Sequence, residues 1–166
     1  MAGASARQRT SGRAPVALRE VTAGTVRDVC RLAVTTDQSS YVAPNAISIA
    51  QAYFEPAAWF RAVCVGDEPV GFAMLYDPTR VPAPDDGPGV CWLWRFMIDA
   101  RRQRHGYGDA AMALLIAHVR ELPGVHTFRL SFVPGAGSPR DFYARHGFRE
   151  TGAVDGDEIV MELSLD

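Results

Sequence analysis

Gln103-Arg104-His105-Gly106-Tyr107-Gly108 stands between an apolar run, residues 90–98 (VCWLWRFMI), and a helix-patterned run over about 107–122. Glycines at this place let successive backbone N–H groups converge without a Cβ in the way. A helix starting here adds unpaired N–H donors and the positive end of its dipole. With Arg101, Arg102 and Arg104 close by, the segment makes a cradle for an anion of the pyrophosphate type. The plainer reading of Gly106 and Gly108 is a tight strand-to-helix turn, and on the glycines alone the two stand level. The same residues also spell G-x-G-x-x-A, a variant of the dinucleotide fingerprint, which wants its glycines directly after a strand and a carboxylate about 20 residues on. Seven mostly polar residues separate Ile98 from Gly106, and residues 126–131 hold Arg129 but no carboxylate. The dinucleotide reading is therefore poor.

Working outward, residues 16–21 read as a first strand. Thr22 offers an N-cap to a helix with Val26, Val29, Cys30 and Ala33 on one side. Asn45 is placed to cap a second short helix, residues 46–54, stopped by Pro56. Residues 59–65 and 70–76 flank Gly66-Asp67-Glu68-Pro69 and predict an antiparallel hairpin. Residues 77–89 (DPTRVPAPDDGPG) hold four prolines and two glycines and predict an exposed irregular loop. The helix over 107–122 carries an apolar stripe of Tyr107, Ala111, Leu114, Leu115, His118 and Leu122 and ends at Pro123-Gly124. A strand over 127–133, a Pro134-Gly135-Ala136-Gly137 turn and a short helix ending at Gly147 follow. The last hairpin turns at Asp155-Gly156-Asp157, with Ile159, Met161 and Leu163 alternating inward. The order is β, α, α, β, β, β, α, β, α, β, β: an α/β chain whose mixed sheet is covered by helices on both faces.

Composition bounds the function. The chain has 166 residues, enough for one sizeable core. Its longest apolar run, residues 110–117, is too short to span a membrane. All 17 basic residues are arginine, and Arg7, Arg9 and Arg13 fall in a stretch without acids, residues 1–15, which has nothing to bury and predicts a disordered tail. The remainder carries 14 basic against 19 acidic residues, which argues against nucleic-acid binding and suits a cationic substrate. Cys30, Cys64 and Cys91 are odd in number, widely spaced and flanked by apolar residues, so they read as free thiols of a cytoplasmic protein. His105, His118, His126 and His146 show no metal-ligand spacing, and no metal is expected.

At this point the sequence resembles the GNAT superfamily of acetyltransferases. Gln103, Gly106 and Gly108 fill its [Q/R]-x-x-G-x-[G/A] pattern between a strand and a helix. Its later signature, Y-x-x-x-G-F, is met by Tyr143-Ala144-Arg145-His146-Gly147-Phe148 in the right order and at the right separation. Within the superfamily the chain looks similar to bacterial spermine/spermidine acetyltransferases, on Tyr41-Val42-Ala43-Pro44-Asn45, Ser48-Ile49-Ala50-Gln51-Ala52 and Arg95-Phe96-Met97-Ile98-Asp99. The resemblance implies a GNAT domain over 16–166 with a central, mostly antiparallel sheet of six to seven strands.

It also implies direct acetyl transfer from acetyl-CoA to a primary amine in a ternary complex, with a polyamine such as spermidine or spermine as acceptor. The alternatives are another amine (an aminoglycoside, an amino acid, a protein N-terminus) or an acyl-CoA-binding sensor that has lost catalysis. Tyr143 matches the tyrosine that protonates the departing CoA sulfur. Phe96, Met97 and Ile98 match strand positions whose backbone groups pair with pantetheine. Gln103, Arg104, His105, Gly106, Tyr107, Gly108 and Asp109 match the pyrophosphate loop. The family's frequent asparagine after the next strand is Ala136 here, with Ser138 a substitute. The usual strand glutamate is missing from Trp92-Leu93-Trp94-Arg95, so no general base is named; Asp37, Glu55, Asp77, Asp85 and Asp86 are the acids within view. Asp37, Tyr41, Tyr53, Glu55, Trp59 and the Asp85-Asp86 pair are candidates for an acidic, aromatic trough that would hold ammonium groups. Dimerisation is common among similar proteins, so a homodimer is compatible with the resemblance, while no membrane or nucleic-acid partner is expected.

Overall fold

A two-residue turn, Gly66-Asp67, closes the hairpin of β2 (Ala58–Val65) and β3 (Glu68–Tyr76), with Val65 opposite Glu68. Gly66 has φ +60°, the left-handed conformation such a turn demands. Around this hairpin the computed structural model, which describes residues 14–165, builds a seven-stranded sheet in the order β1-β2-β3-β4-β5-β7-β6. The tail expected over 1–15 lies, but for its last two residues, outside the described chain. β1 (Val16–Arg19) and β4 (Val90–Ile98) flank the hairpin antiparallel. β5 (Thr127–Phe132) runs parallel to β4, and β7 (Glu158–Ser164) and β6 (Arg149–Asp155) complete the sheet antiparallel. One parallel join in a mostly antiparallel sheet needs a crossover, and α3 (Tyr107–Arg120) supplies it.

Helices cover both faces, as the element order predicts. Phe72 and Met74 of β3 pack with Val29 of α1 (Val26–Arg31) and Ile49 of α2 (Asn45–Ala52). Ala73 and Leu75, which alternate with them, pack with Met112 and Leu115 of α3 and Tyr143 of α4 (Arg140–Arg145). Several local expectations shift. α1 starts at Val26 behind Thr25, three residues later than a Thr22 cap implies; the Thr22 carbonyl accepts from the N–H groups of Thr25 and Val26 in the preceding turn. Asn45 is the first residue of α2, not its cap. Its buried side chain donates from Nδ2 to the Val29 carbonyl at 2.9 Å and ties the two helices together. On α3 the buried line is Ala111, Met112, Leu115, Ile116 and Val119, while Leu114 faces out. The loop over 77–89 is irregular except for one 3₁₀ turn, Pro78–Arg80.

β4 holds the feature that positions the site. It pairs with β5 only from Val90 to Leu93, and beyond that the two strands part. On its other side the register with β3 slips: Leu75 faces Leu93, but Met74 faces Arg95, leaving Trp94 as a bulge. The bulge inverts the alternation, so Leu93 and Phe96 both pack toward α3, while Trp94 and Met97 pack toward α1 and α2. The β5-facing edge of residues 94–98 is left without a strand beside it.

Candidate active site

The gap between β4 and β5 is a cleft of about 830 Å³, walled by Trp92–Phe96 on one side and by Ser131, Phe132 and Tyr143 on the other. At the end of β4 the chain enters the glycine loop. Arg104 (φ +59°) and Gly106 (φ +78°) are both left-handed with a right-handed helix following, the kind of alternation from which anion nests are built. A non-glycine residue held there stores about 1–2 kcal/mol of strain. The loop is braced for it: Gln103 donates from Nε2 to the Ile98 carbonyl at 3.0 Å and to Gln38 Oε1 at 2.7 Å. His105 Nδ1 lies 2.6 Å from the Gln103 carbonyl, and its ring stacks with Tyr107. The N–H groups of Gly108 and Asp109, in the first turn of α3, have no acceptor within the helix.

The arginines near this loop divide into two kinds. Arg101 is bound by buried Asp99 through Nε at 2.9 Å and Nη2 at 3.2 Å, and Arg102 is paired with Glu68. Arg104 is exposed and makes no ion pair among the described residues. Asp109 accepts from His146 Nε2 at 3.0 Å and faces Arg145, so its charge is countered from α4. Gly108 sits under Phe142 of the same helix, 3.5 Å from where a Cβ would stand.

Phe96 lines the cleft, Met97 is buried toward α1 and α2, and Ile98 offers its carbonyl to Gln103. Ser138 lies in the β5–α4 loop, its N–H donating to the Gly135 carbonyl, and does not line the cleft. Tyr41 reaches across the mouth of the cleft and donates from its hydroxyl to the Ala136 carbonyl at 3.1 Å. Tyr143 is buried apart from its cleft-facing side, and its hydroxyl has no hydrogen-bond partner among the described residues. Burial, and secondly the negative charge of Glu158, push its phenol well above the usual tyrosine range.

Of the other acidic and aromatic candidates, Tyr41, Glu55, Asp85 and Asp86 line the cleft. Asp37 does not: it is exposed in the 3₁₀ turn Thr36–Gln38, where the Thr35 side chain lowers its carboxyl. Asp77 is buried as the cap of Pro78–Arg80 and accepts from the Thr79 N–H and hydroxyl. Tyr53 is exposed on the outside, against Phe54. Trp59 is a core residue stacked on His118 at 4.2 Å, because the alternation of β2 turns it toward α3.

The cleft also gathers residues that local reading passed over: Tyr76, Trp92, Arg95, Ser131, Asp155 and Glu158. Trp92 donates from Nε1 to Asp86 at 2.7 Å, and Ser131 donates from Oγ to Glu158 Oε2. Glu158 follows a hairpin turn 27 residues beyond Ser131, and only the pairing of β5 with β7 brings the two together. Its one local signal is an acid opening a strand whose alternate residues are apolar.

The open edge of β4, the loop at 104–106 and the start of α3 follow one another along the chain, an order suited to an amide-bearing arm that ends in a pyrophosphate. The comparisons agree. The family model described as "Acetyltransferase (GNAT) family" matches residues 27–148. The spermine/spermidine N(1)-acetyltransferase of Bacillus subtilis (strain 168) is 28% identical over 138 residues, 79% of this chain and 87% of that protein. Among solved structures, an acetyltransferase from Thermus thermophilus superposes with a TM-score of 0.72 at 15% identity, covering 90% of this chain and 97% of its own. The aminoglycoside enzyme AAC(6')-Ib, in complex with ribostamycin and coenzyme A, also reaches 0.72, at 17% identity, over 90% of this chain and 93% of its own. These likenesses are of fold, and with the family match over most of the chain they place it: the protein belongs to the GNAT family, the acetyl-CoA-dependent N-acetyltransferases.

Proposed function

We propose that the protein transfers the acetyl group of acetyl-CoA to a primary amine of a polyamine such as spermidine or spermine, in a ternary complex and in the cytoplasm. The observation that carries the acceptor is the lining of the cleft. Glu55, Asp85, Asp86, Asp155 and Glu158 face it with Tyr76, Trp92 and Trp94, against Arg95 as the one cation among the described lining residues. Carboxylates and aromatic faces are the groups that hold alkylammonium ions, each cation–π contact contributing roughly 0.5–2 kcal/mol. The likeness to a spermine/spermidine acetyltransferase supports the same acceptor. A second reading, a bulkier polycationic amine of the aminoglycoside type, is favoured by the cleft volume of about 830 Å³.

In this reading residues 104–109 hold the pyrophosphate through backbone N–H groups and Arg104. The free edge of Phe96–Ile98 pairs with the pantetheine amides, and Ser138 adds a contact from the β5–α4 loop. Tyr143, kept protonated by its surroundings, gives its hydroxyl proton to the departing sulfur. The working unit is one domain over 16–166, alone or as a homodimer, with residues 1–15 as a tail. Thiol release from acetyl-CoA with an equimolar panel of spermidine, spermine, an aminoglycoside and an amino acid tests the acceptor. A preference of tenfold or more for a polyamine supports it, and the same margin for another amine overturns it. Tyr143→Phe is expected to lower kcat by about 10²–10⁴-fold, the usual worth of a general acid, with the Kd for acetyl-CoA unchanged.

A further inference from the structure

We infer that Glu158 is the catalytic base of this reaction, taking the proton from the acceptor's ammonium group at the place where Tyr143 serves the leaving sulfur. The inference rests on the amine-acetylating reading above and adds to it the group that reading leaves unassigned. An alkylammonium with a pKa of about 10.4 has no lone pair to attack with near neutral pH, so a carboxylate within reach of the reacting nitrogen has a definite task.

Among the cleft acids Glu158 is distinguished by where it sits and how it is held. Glu55 accepts from the Ala57 N–H at 2.9 Å and so braces its own loop. Asp86 is engaged by the Trp92 indole, and Asp85 and Asp155 lie on the loop and hairpin at the rim. Glu158 opens β7, directly beyond the end of the β4–β5 pairing. Ser131 of β5 donates to its Oε2, while Oε1 has no hydrogen-bond partner among the described residues, and the side chain belongs to the lining of the cleft. A carboxylate with one oxygen fixed and the other free is oriented as a proton acceptor must be. Among the described carboxylates it is also the one whose charge adds to burial in raising the Tyr143 phenol.

The groups facing it come from four elements: Tyr143 from α4, Ser131 from β5, Arg95 from β4, and Asp155 opposite it on β6. Arg95 feels the Glu158 charge without forming an ion pair with it; its Nη1 donates to the Trp94 carbonyl and its Nη2 to Gln51. The carboxylate therefore stays available to a cationic acceptor.

The proton and electron count closes. Glu158 takes one proton from the ammonium, and the freed nitrogen pair forms the C–N bond at the thioester carbonyl carbon as the C–S bond breaks. Tyr143 gives its hydroxyl proton to the sulfur and recovers one from the new amide nitrogen, and Glu158 returns its proton to water. One amide, one thiol and one proton result.

The test compares wild type, Glu158→Gln and Glu158→Asp on two readouts: kcat against pH with spermidine, and spermidine binding by calorimetry to the protein saturated with CoA, where no turnover occurs. Glu158→Gln is expected to lose about 10²–10⁴-fold in kcat at pH 7 and to recover about tenfold per pH unit as the amine deprotonates itself. Its spermidine affinity in the CoA complex should fall by about tenfold or less, its CoA affinity should not change, and Glu158→Asp should regain part of the rate. An unchanged kcat, with only a raised KM for spermidine, would make Glu158 an anchor and overturn the inference. So would a reduced kcat whose pH profile keeps the shape of the wild type's. Failure of the underlying reading looks different: wild type itself would bind CoA and turn over no amine.

Discussion

Asp99 shows how one side chain holds the chain that leads into the glycine loop. It is 2% exposed and closes β4, accepting from the Ala33 N–H at 3.1 Å, the Arg101 N–H at 3.0 Å and the Arg101 guanidinium. The Arg101 side-chain bond, above all, holds its carboxyl below the usual carboxylate range, with burial opposing. A depressed carboxyl contributes stability that is present above the unfolded value of about 3.9 and is lost as pH falls through the folded one. Asp99→Asn is therefore expected to destabilise the protein by about 1.5–3 kcal/mol at pH 7, most of it from the one backbone N–H, of Ala33 or Arg101, that is left facing an NH2 group, since the Arg101 side chain is largely in water. Melting curves should show the gap to wild type narrowing below about pH 4, and a gap independent of pH would mean that the charge has no part in it. Residues of this kind vary in legibility. The place of Tyr143 at the cleft was legible because its motif is local. Trp59 was misread because its aromatic type alone fits an ammonium-holding trough, whereas strand alternation turns it into the core against His118.

Among the elements, the glycine loop tests whether conformation or composition does the binding. Gly106 has open space where a Cβ would stand, so alanine there meets no atom and is opposed only by the left-handed backbone. Gly106→Ala is expected to cost about 1–2 kcal/mol and, by reshaping the loop, to raise the Kd for acetyl-CoA by tenfold or more while leaving spermidine affinity unchanged in calorimetry. Loss of stability without loss of acetyl-CoA affinity would reduce the loop to a turn. The order of elements along the chain, the hairpins and the helix after the glycine loop were legible because turn residues and period-two alternation are local signals. The Trp94 bulge was not: nine consecutive strand residues look continuous until the register with β3 shows two of them opposite one. The buried line of α3 was also half misplaced, since an apolar residue such as Leu114 marks a helix without marking the face it buries.

At the scale of the whole molecule, an acidic body and a carboxylate-lined cleft agree with each other, and the charge balance was readable before any fold was known. What composition could not give is convergence: Glu158, Ser131 and Tyr143 meet only because β7 returns between β5 and β6. The parting of β4 from β5 has one more consequence. A strand inside a sheet normally has its amides paired with a neighbour on both edges, but along residues 94–98 no strand lies beside the β5-facing edge. In heavy water those amides should take up deuterium early, ahead of their neighbours at 90–93, and slow when an amide-bearing arm lies alongside and acts as the absent strand. Deuterium uptake over residues 94–98, with and without CoA, then reads where that arm lies, in a protein that turns nothing over. Equal uptake in both states would place the arm elsewhere. The break in the sheet is thus a built-in reporter of its own occupancy.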